Sequence, residues 1–149
     1  AIISEGARAF GSQCIVLSMQ AQRVAPSARI PSGWEIFIDG ARTATGLDAV
    51  EWARRGEGLG AGELCVNSID QDGARSGYDI PLTRTISEAV AIPVIASGGG
   101  GSARHIYDVC TQGKADAAIV ASIIHRRDTT IPELKRELAA RGLPVRMNW

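Results

Sequence analysis

The chain has 149 residues, 45% hydrophobic and 21% charged, and its 16 basic and 16 acidic side chains cancel. That length holds one domain with its own core. The neutral balance leaves no electrostatic footprint for nucleic acid or an anionic membrane surface, so any anion must be gripped locally. No run of about 20 apolar residues occurs, so no membrane-spanning helix is expected.

In chain order, "AIISEGARAF" reads as a short helix and lacks the basic-then-apolar order of a signal peptide. Four later segments are apolar on consecutive positions: "CIVLSM" (14–19), "ELCVNSI" (63–69), "IPVIAS" (92–97) and "DAAIVAS" (116–122). That pattern marks strands buried on both faces of a parallel sheet. After the first strand, "QAQRVAPSARIPSGWEIFIDGARTATG" (about 20–45) predicts a β-hairpin. Its strands are expected in "RVAPSARI" and "WEIFIDG", around Pro-Ser and Ser-Gly turns.

Helices fill the gaps. "GLDAVEWARRGEG" predicts one around Leu47 and Val50. "YDIPLTRTISEAV" offers Asp79 as N-cap and Pro81 in the first turn, with Leu82, Ile86, Ala89 and Val90 on one stripe. "GSARHIYDVC" offers Ser102 as N-cap and turns Ala103, Ile106, Val109 and Cys110 inward. In "TIPELKRELAARG", Thr130 and Glu133 form a capping box and Gly142 caps the far end.

Each of the four strands closes on two residues, usually apolar, and then a serine: Ser18, Ser68, Ser97 and Ser122. The last three recur at a spacing of one βα unit, a modular pattern. The chain therefore reads as a helix followed by (βα)4 with a hairpin insertion after the first strand. A closed (βα)8 barrel takes about 250 residues, so four units supply half of one. Their edges and curved inner face would stay open and invite another chain. The competing architecture is a flat sheet with helices on both faces. Cys14, Cys65 and Cys110 are odd in number with no Cys-x-x-Cys spacing, which predicts buried reduced thiols and a cytoplasmic setting.

The chemistry gathers after the strands. "VIASGGGG" (94–101) ends an apolar run in four glycines. Backbone amides beside glycines, with the open start of the next helix, make an anion cradle. In (βα)8 enzymes phosphate sits on the loops after the last two strands, helped by a short extra helix. Those loops match "SGGGG" and "ASIIHRR", with Ser122 opening the short helix. Gly98, Gly99 and the Ser122 amide are the expected contacts; the alternative is a tight turn before the Ser102 cap. In "NSIDQDGARSGYD" (67–79), Asp70 and Asp72 stand at a strand mouth, where they could bond substrate hydroxyls or move protons. The alternative is an Asp-Gly turn with solvated acids. His105 is expected exposed on its helix. Neither it nor His125 has a second ligand at metal spacing, so no metal is expected. Arg126 and Arg127 read as a solvated pair.

"FGSQCIV", "SIDQDGARSGYD", "PVIASGGGG", "ADAAIVASIIH" and "LKRELAARGLPVR" together resemble the cyclase subunit of imidazole glycerol phosphate synthase, of histidine biosynthesis. The resemblance covers strands five to eight of that family's (βα)8 barrel. It implies a bis-phosphorylated ribulosyl substrate, ammonia delivered by a glutaminase partner, and no metal or organic cofactor. It also implies one phosphate held at Gly99, Ala121 and Ser122, with Asn67, Ser68, Gly73, Ser97, Asp70 and Asp72 lining the mouth. The family's acid/base pair is two aspartates at the ends of strands one and five. Strand one has no counterpart here, and the strand-five position is Gln20, whose amide moves no proton at neutral pH. The expectation is a half-barrel that binds phosphate or a phosphorylated sugar, pairs with a second copy or a complementary half, and is weak or inactive alone. The other reading is an active cyclase piece, working with an N-terminal half or a glutaminase.

Overall fold

A computed structural model describes residues 2–147. The helix α1 (Ile2–Phe10) leads through a 3-10 turn at Ser12–Cys14 into β1 (Val16–Arg23). A hairpin, β2 (Trp34–Ile38) and β3 (Thr43–Asp48), follows. Then come α2 (Ala49–Gly58), β4 (Glu63–Ser68), α3 (Ile80–Ser87), β5 (Val94–Ser97), α4 (Ala103–Thr111), β6 (Ala117–Ala118), α5 (Ser122–His125) and α6 (Ile131–Ala140). The strands form one sheet in the order β3-β2-β1-β4-β5-β6. β1, β4, β5 and β6 are parallel, and the hairpin joins β1 antiparallel. Among the described residues, no helix is long and apolar enough to cross a membrane.

The core lies on one face of this sheet. Met19, Ala21, Leu64, Val66 and Val94 pack with Val50, Ala53, Leu82 and Ile86 of α2 and α3. Ala96 packs with Ile106, Val109, Ile123, Leu134 and Leu138 of α4, α5 and α6. Strand side chains alternate between faces, so the intervening residues point the other way. Val16 and Ser18 are exposed there, and Gln20, Cys65, Asn67, Ile95 and Ser97 are half-buried. Neither core cluster draws on that second face. The doubly covered sheet therefore does not occur among the described residues. One-sided coverage of a mostly parallel sheet is consistent with half of a TIM-type barrel.

The helix boundaries follow their caps. Asp79 and Ser102 accept the amides of Leu82 at 2.9 Å and His105 at 3.3 Å, and the Thr130–Glu133 capping box is complete. Gly142, at φ +83°, lies just past the Arg141 cap. Several expectations need correction. "RVAPSARI" is not a hairpin strand: β1 runs on to Arg23, and β2 pairs with it and with β3. Pro26 has no amide for a ladder. Leu47 belongs to β3 and is exposed; α2 starts after Asp48, which caps it. The serines do not align. Ser18 is mid-strand and opposite Cys65, Ser68 is opposite Ala21, and Ser122 begins α5. A three-residue pattern carries no register, whereas ladder hydrogen bonds do. Cys14 is exposed and Cys65 and Cys110 are half-buried; all three are free thiols.

Asp48 holds several of these pieces together. One carboxylate oxygen accepts the Val50 and Glu51 amides at 2.9 and 3.2 Å. The other accepts the Ser32 amide at 2.8 Å, tying down the loop before β2. Burial pushes this acid upward, but the bonds from Ser32, Glu51 and Val50 outweigh it and hold it below the ordinary 3.8. Asp48→Ala is expected to cost about 1–2 kcal/mol at pH 7. The folded-state pKa is depressed, so the charged contribution is complete above the ordinary value and lost as the pH falls through the lowered one. Urea midpoints of the two proteins should therefore converge as the pH drops below 3.8.

Candidate functional site

The C-terminal ends of β4, β5 and β6 carry three loops that meet around one cavity of about 120 Å³. The β4–α3 loop contributes Asp72, Gly73 and Arg75; the β5–α4 loop contributes Gly98, Gly99 and Gly100 next to Ser97; beyond β6 come Ile119, Ala121 and Ser122. The expected phosphate residues Gly98, Gly99, Ala121 and Ser122 therefore stand together. Among the described residues, the amides of Gly99, Gly100 and Ser122 donate to no backbone or side-chain acceptor. Unpaired donors at a cavity wall suit an acceptor-rich anion.

The glycines do more than bare these amides. Gly98 and Gly99 have φ of +88° and +99°, where L side chains are strained. A Cβ at Gly98 would lie 2.7 Å from the Ser68 carbonyl oxygen, and one at Gly99 would strike the Gly77 carbonyl. At Gly100 it would strike the Tyr78 hydroxyl, and at Gly101 the Arg75 carbonyl. The β4–α3 loop thus rests directly on the glycine run, fastened by the Gly77 amide donating to Gly99 O at 2.9 Å. The Tyr78 hydroxyl crosses behind and donates to Ile119 O at 2.8 Å. Burial, with Cys110 nearby, pushes the Tyr78 pKa well above its ordinary value, so it remains a donor. Gly100 and Tyr78 are parts of this site that sequence reasoning missed. Gly100 lay in plain view within the tetraglycine, while Tyr78 had no signal beyond its place beside the Asp79 cap.

Other expected residues are dispersed. Asp72 lines the cavity, but Asp70 turns toward β1, where its carboxylate accepts the Arg23 amide at 2.8 Å. Asp70 lies in a separate hollow with Arg23, Tyr78 and Asp79. Ser68 is fully buried on the helix-covered face, its hydroxyl 3.4 Å from Asp79, and it does not line the cavity. Its neighbour Asn67 faces the open side and accepts the Ser97 hydroxyl at 2.8 Å. Gln20, Asn67 and Ser97 occupy one row across β1, β4 and β5. Gln20 lies in a hollow beside the hairpin, with Ser18, Phe37 and Trp52, apart from the glycine cavity. His105 is half-buried instead of exposed, because its Nδ1 accepts the Gly101 amide at 3.2 Å. His125, Arg126 and Arg127 are exposed. Among the described residues, no three His, Cys, Asp or Glu side chains are grouped to hold a metal ion.

Comparison with known proteins places the chain in a family. The family described as histidine biosynthesis protein matches residues 1–130. The imidazole glycerol phosphate synthase subunit HisF of Nitratidesulfovibrio vulgaris (strain DP4) is 59% identical over 148 residues, 99% of this chain and 57% of that protein. The subunit of the same name from Desulfosudis oleivorans (strain DSM 6200 / JCM 39069 / Hxd3) is 58% identical over 149 residues, 100% of this chain and 58% of its own length. The chain thus spans little more than half of the curated relatives it matches. With identity this high along its whole length, the chain belongs to the histidine biosynthesis protein family, as a partial counterpart of HisF.

Proposed function

We propose that this chain is a (βα)4 half of a cyclase-type barrel that grips the phosphate of a phosphorylated ribosyl ligand and completes itself with another half, a second copy sufficing. The observation that carries the reading is the meeting of unpaired amides of Gly99, Gly100 and Ser122 at one cavity. Gly73, Gly98 and Ala121 shape that cavity and leave room for phosphate oxygens. The row Gln20, Asn67 and Ser97 on the open face would line the interior of the completed barrel, on the way to the reacting end of the ligand. Three free thiols suit a reducing cytoplasm.

The free margins support the pairing. β2 pairs with β1 only at Gln20–Arg23, so the outer edge of 16–19 has no strand partner among the described residues. At the other margin β6 has two residues and pairs only with β5. Exposed Val16 and Ile119 add apolar surface beside these edges. Unpaired ladder groups and apolar surface together favour association.

Turnover by the chain alone is slight in this reading. An amide at Gln20 holds a hydrogen bond but exchanges no proton, and loss of a general acid or base typically costs about 10²–10⁴-fold. A second reading, an active cyclase piece beside an N-terminal half or a glutaminase, is favoured by Asp72, a carboxylate in the same cavity as the glycines.

Calorimetric titration with inorganic phosphate tests the grip. Ser122→Asp suits a helix start but repels an anion, and is expected to lower affinity more than about tenfold with the circular dichroism unchanged; unaltered affinity would refute the site. Light scattering should show a dimer or larger species, and a stable monomer would refute the pairing. Without ammonia-dependent cyclase activity of its own, the chain should gain at least about 10²-fold from Gln20→Asp when mixed with an N-terminal half. Turnover by the unmodified chain alone would favour the second reading.

A further inference from the structure

We propose that Arg75 is the charged side chain of this phosphate site, and that a bound anion draws it away from Asp128. The inference rests on the phosphate reading above and adds the residue that senses charge. Among the cavity-lining residues only Asp72 and Arg75 are charged. Without the guanidinium, the wall would present one carboxylate and neutral groups, which disfavours a dianion.

The pair is placed for exchange. Arg75 Nη1 donates to Asp128 Oδ2 at 2.9 Å, joining the β4–α3 loop to the turn after α5. Both ends of the bridge have fixed main chains. The Ala74 amide donates to Gln71 O at 3.0 Å, the Ser76 hydroxyl donates to Gln71 Oε1 at 3.0 Å, and Gly101 packs against the Arg75 carbonyl. The Asp128 amide donates to Ile123 O at 2.9 Å. The guanidinium is therefore the part free to swing. The two side chains are 39% and 46% exposed, and ion pairs that wet are weak. Phosphate offers the guanidinium fork a two-point contact, where the present pair makes one hydrogen bond. Asp128 is then a competitor that parks Arg75 beside the site.

Opposite shifts from the two partners test the idea. Phosphate affinity would be measured by calorimetry at fixed ionic strength for the full chain, Arg75→Met, Arg75→Lys and Asp128→Asn, with thermal unfolding as the check on folding. Arg75→Met should lose about tenfold or more, Arg75→Lys should recover part of that loss, and Asp128→Asn should gain up to about fivefold. Wild-type affinity in Arg75→Met, or weaker binding in Asp128→Asn, would show that the pair only holds two loops together and would overturn the inference while leaving the amide site standing. No phosphate binding by either the unmodified chain or Asp128→Asn would overturn the site and the inference together.

Discussion

Everything at the working end of this molecule depends on two stretches of main chain lying against each other with no side chains between them. The loop after β4 sits on the glycine run after β5, and the amide of Gly77 bonds to the carbonyl of Gly99. Glycine at such positions is costly to order, because it loses more backbone freedom on folding than any other residue. The return is geometric. With Gly98 and Gly99 in the left-handed region, the run turns sharply off a buried strand, leaves amides bare, and still reaches the Ser102 cap of α4. A single Cβ would push the loops apart, and Asp72 and Arg75 would move away from Ser122. The tetraglycine is thus a packing surface first, and the anion site proposed for it rests on that packing.

The second constraint is the one-sidedness of the sheet. Helices bury Met19, Leu64, Val66, Val94 and Ala96 on one face. The opposite face mixes polar and apolar side chains, with the Ser97–Asn67 hydrogen bond among them. Partly polar rows of this kind fit neither a dry core nor a freely solvated surface. They suit the interior lining of the completed barrel proposed above.

Much of this was legible in the sequence, and the misses have physical causes. Helix starts were plain because a cap needs a particular side chain beside a particular amide, as at Asp79, Ser102 and Thr130. The meeting of the glycine loop with the stretch around Ser122 was legible too, because both follow neighbouring strands at the same end of the sheet. Strand ends were less clear. Ser18 imitates the serines of later strands, but β1 continues to Arg23 because the hairpin gives its far end a partner. The hairpin itself was shifted along the chain, since aromatic and β-branched residues mark strands without saying which ones pair. Asp70 and Asp72 look equivalent on paper, yet only Asp72 remains with the glycines, because the Arg23 amide claims Asp70. Ser68 and Asn67 are neighbours in sequence and lie on opposite faces of the sheet. Side chains committed to long-range main-chain partners leave no local trace.

The partial cover that β2 gives β1 has one further consequence. The hairpin claims the edge from Gln20 onward and leaves the stretch before it bare. In the proposed pairing, a strand arriving at that edge would slide toward the loop end only until it met the hairpin, so the insertion would act as a doorstop for alignment. Backbone ladders by themselves permit slippage in steps of two residues; the hairpin would supply an end mark for that pairing, and lengthening or trimming it would reset the phase of the proposed joint.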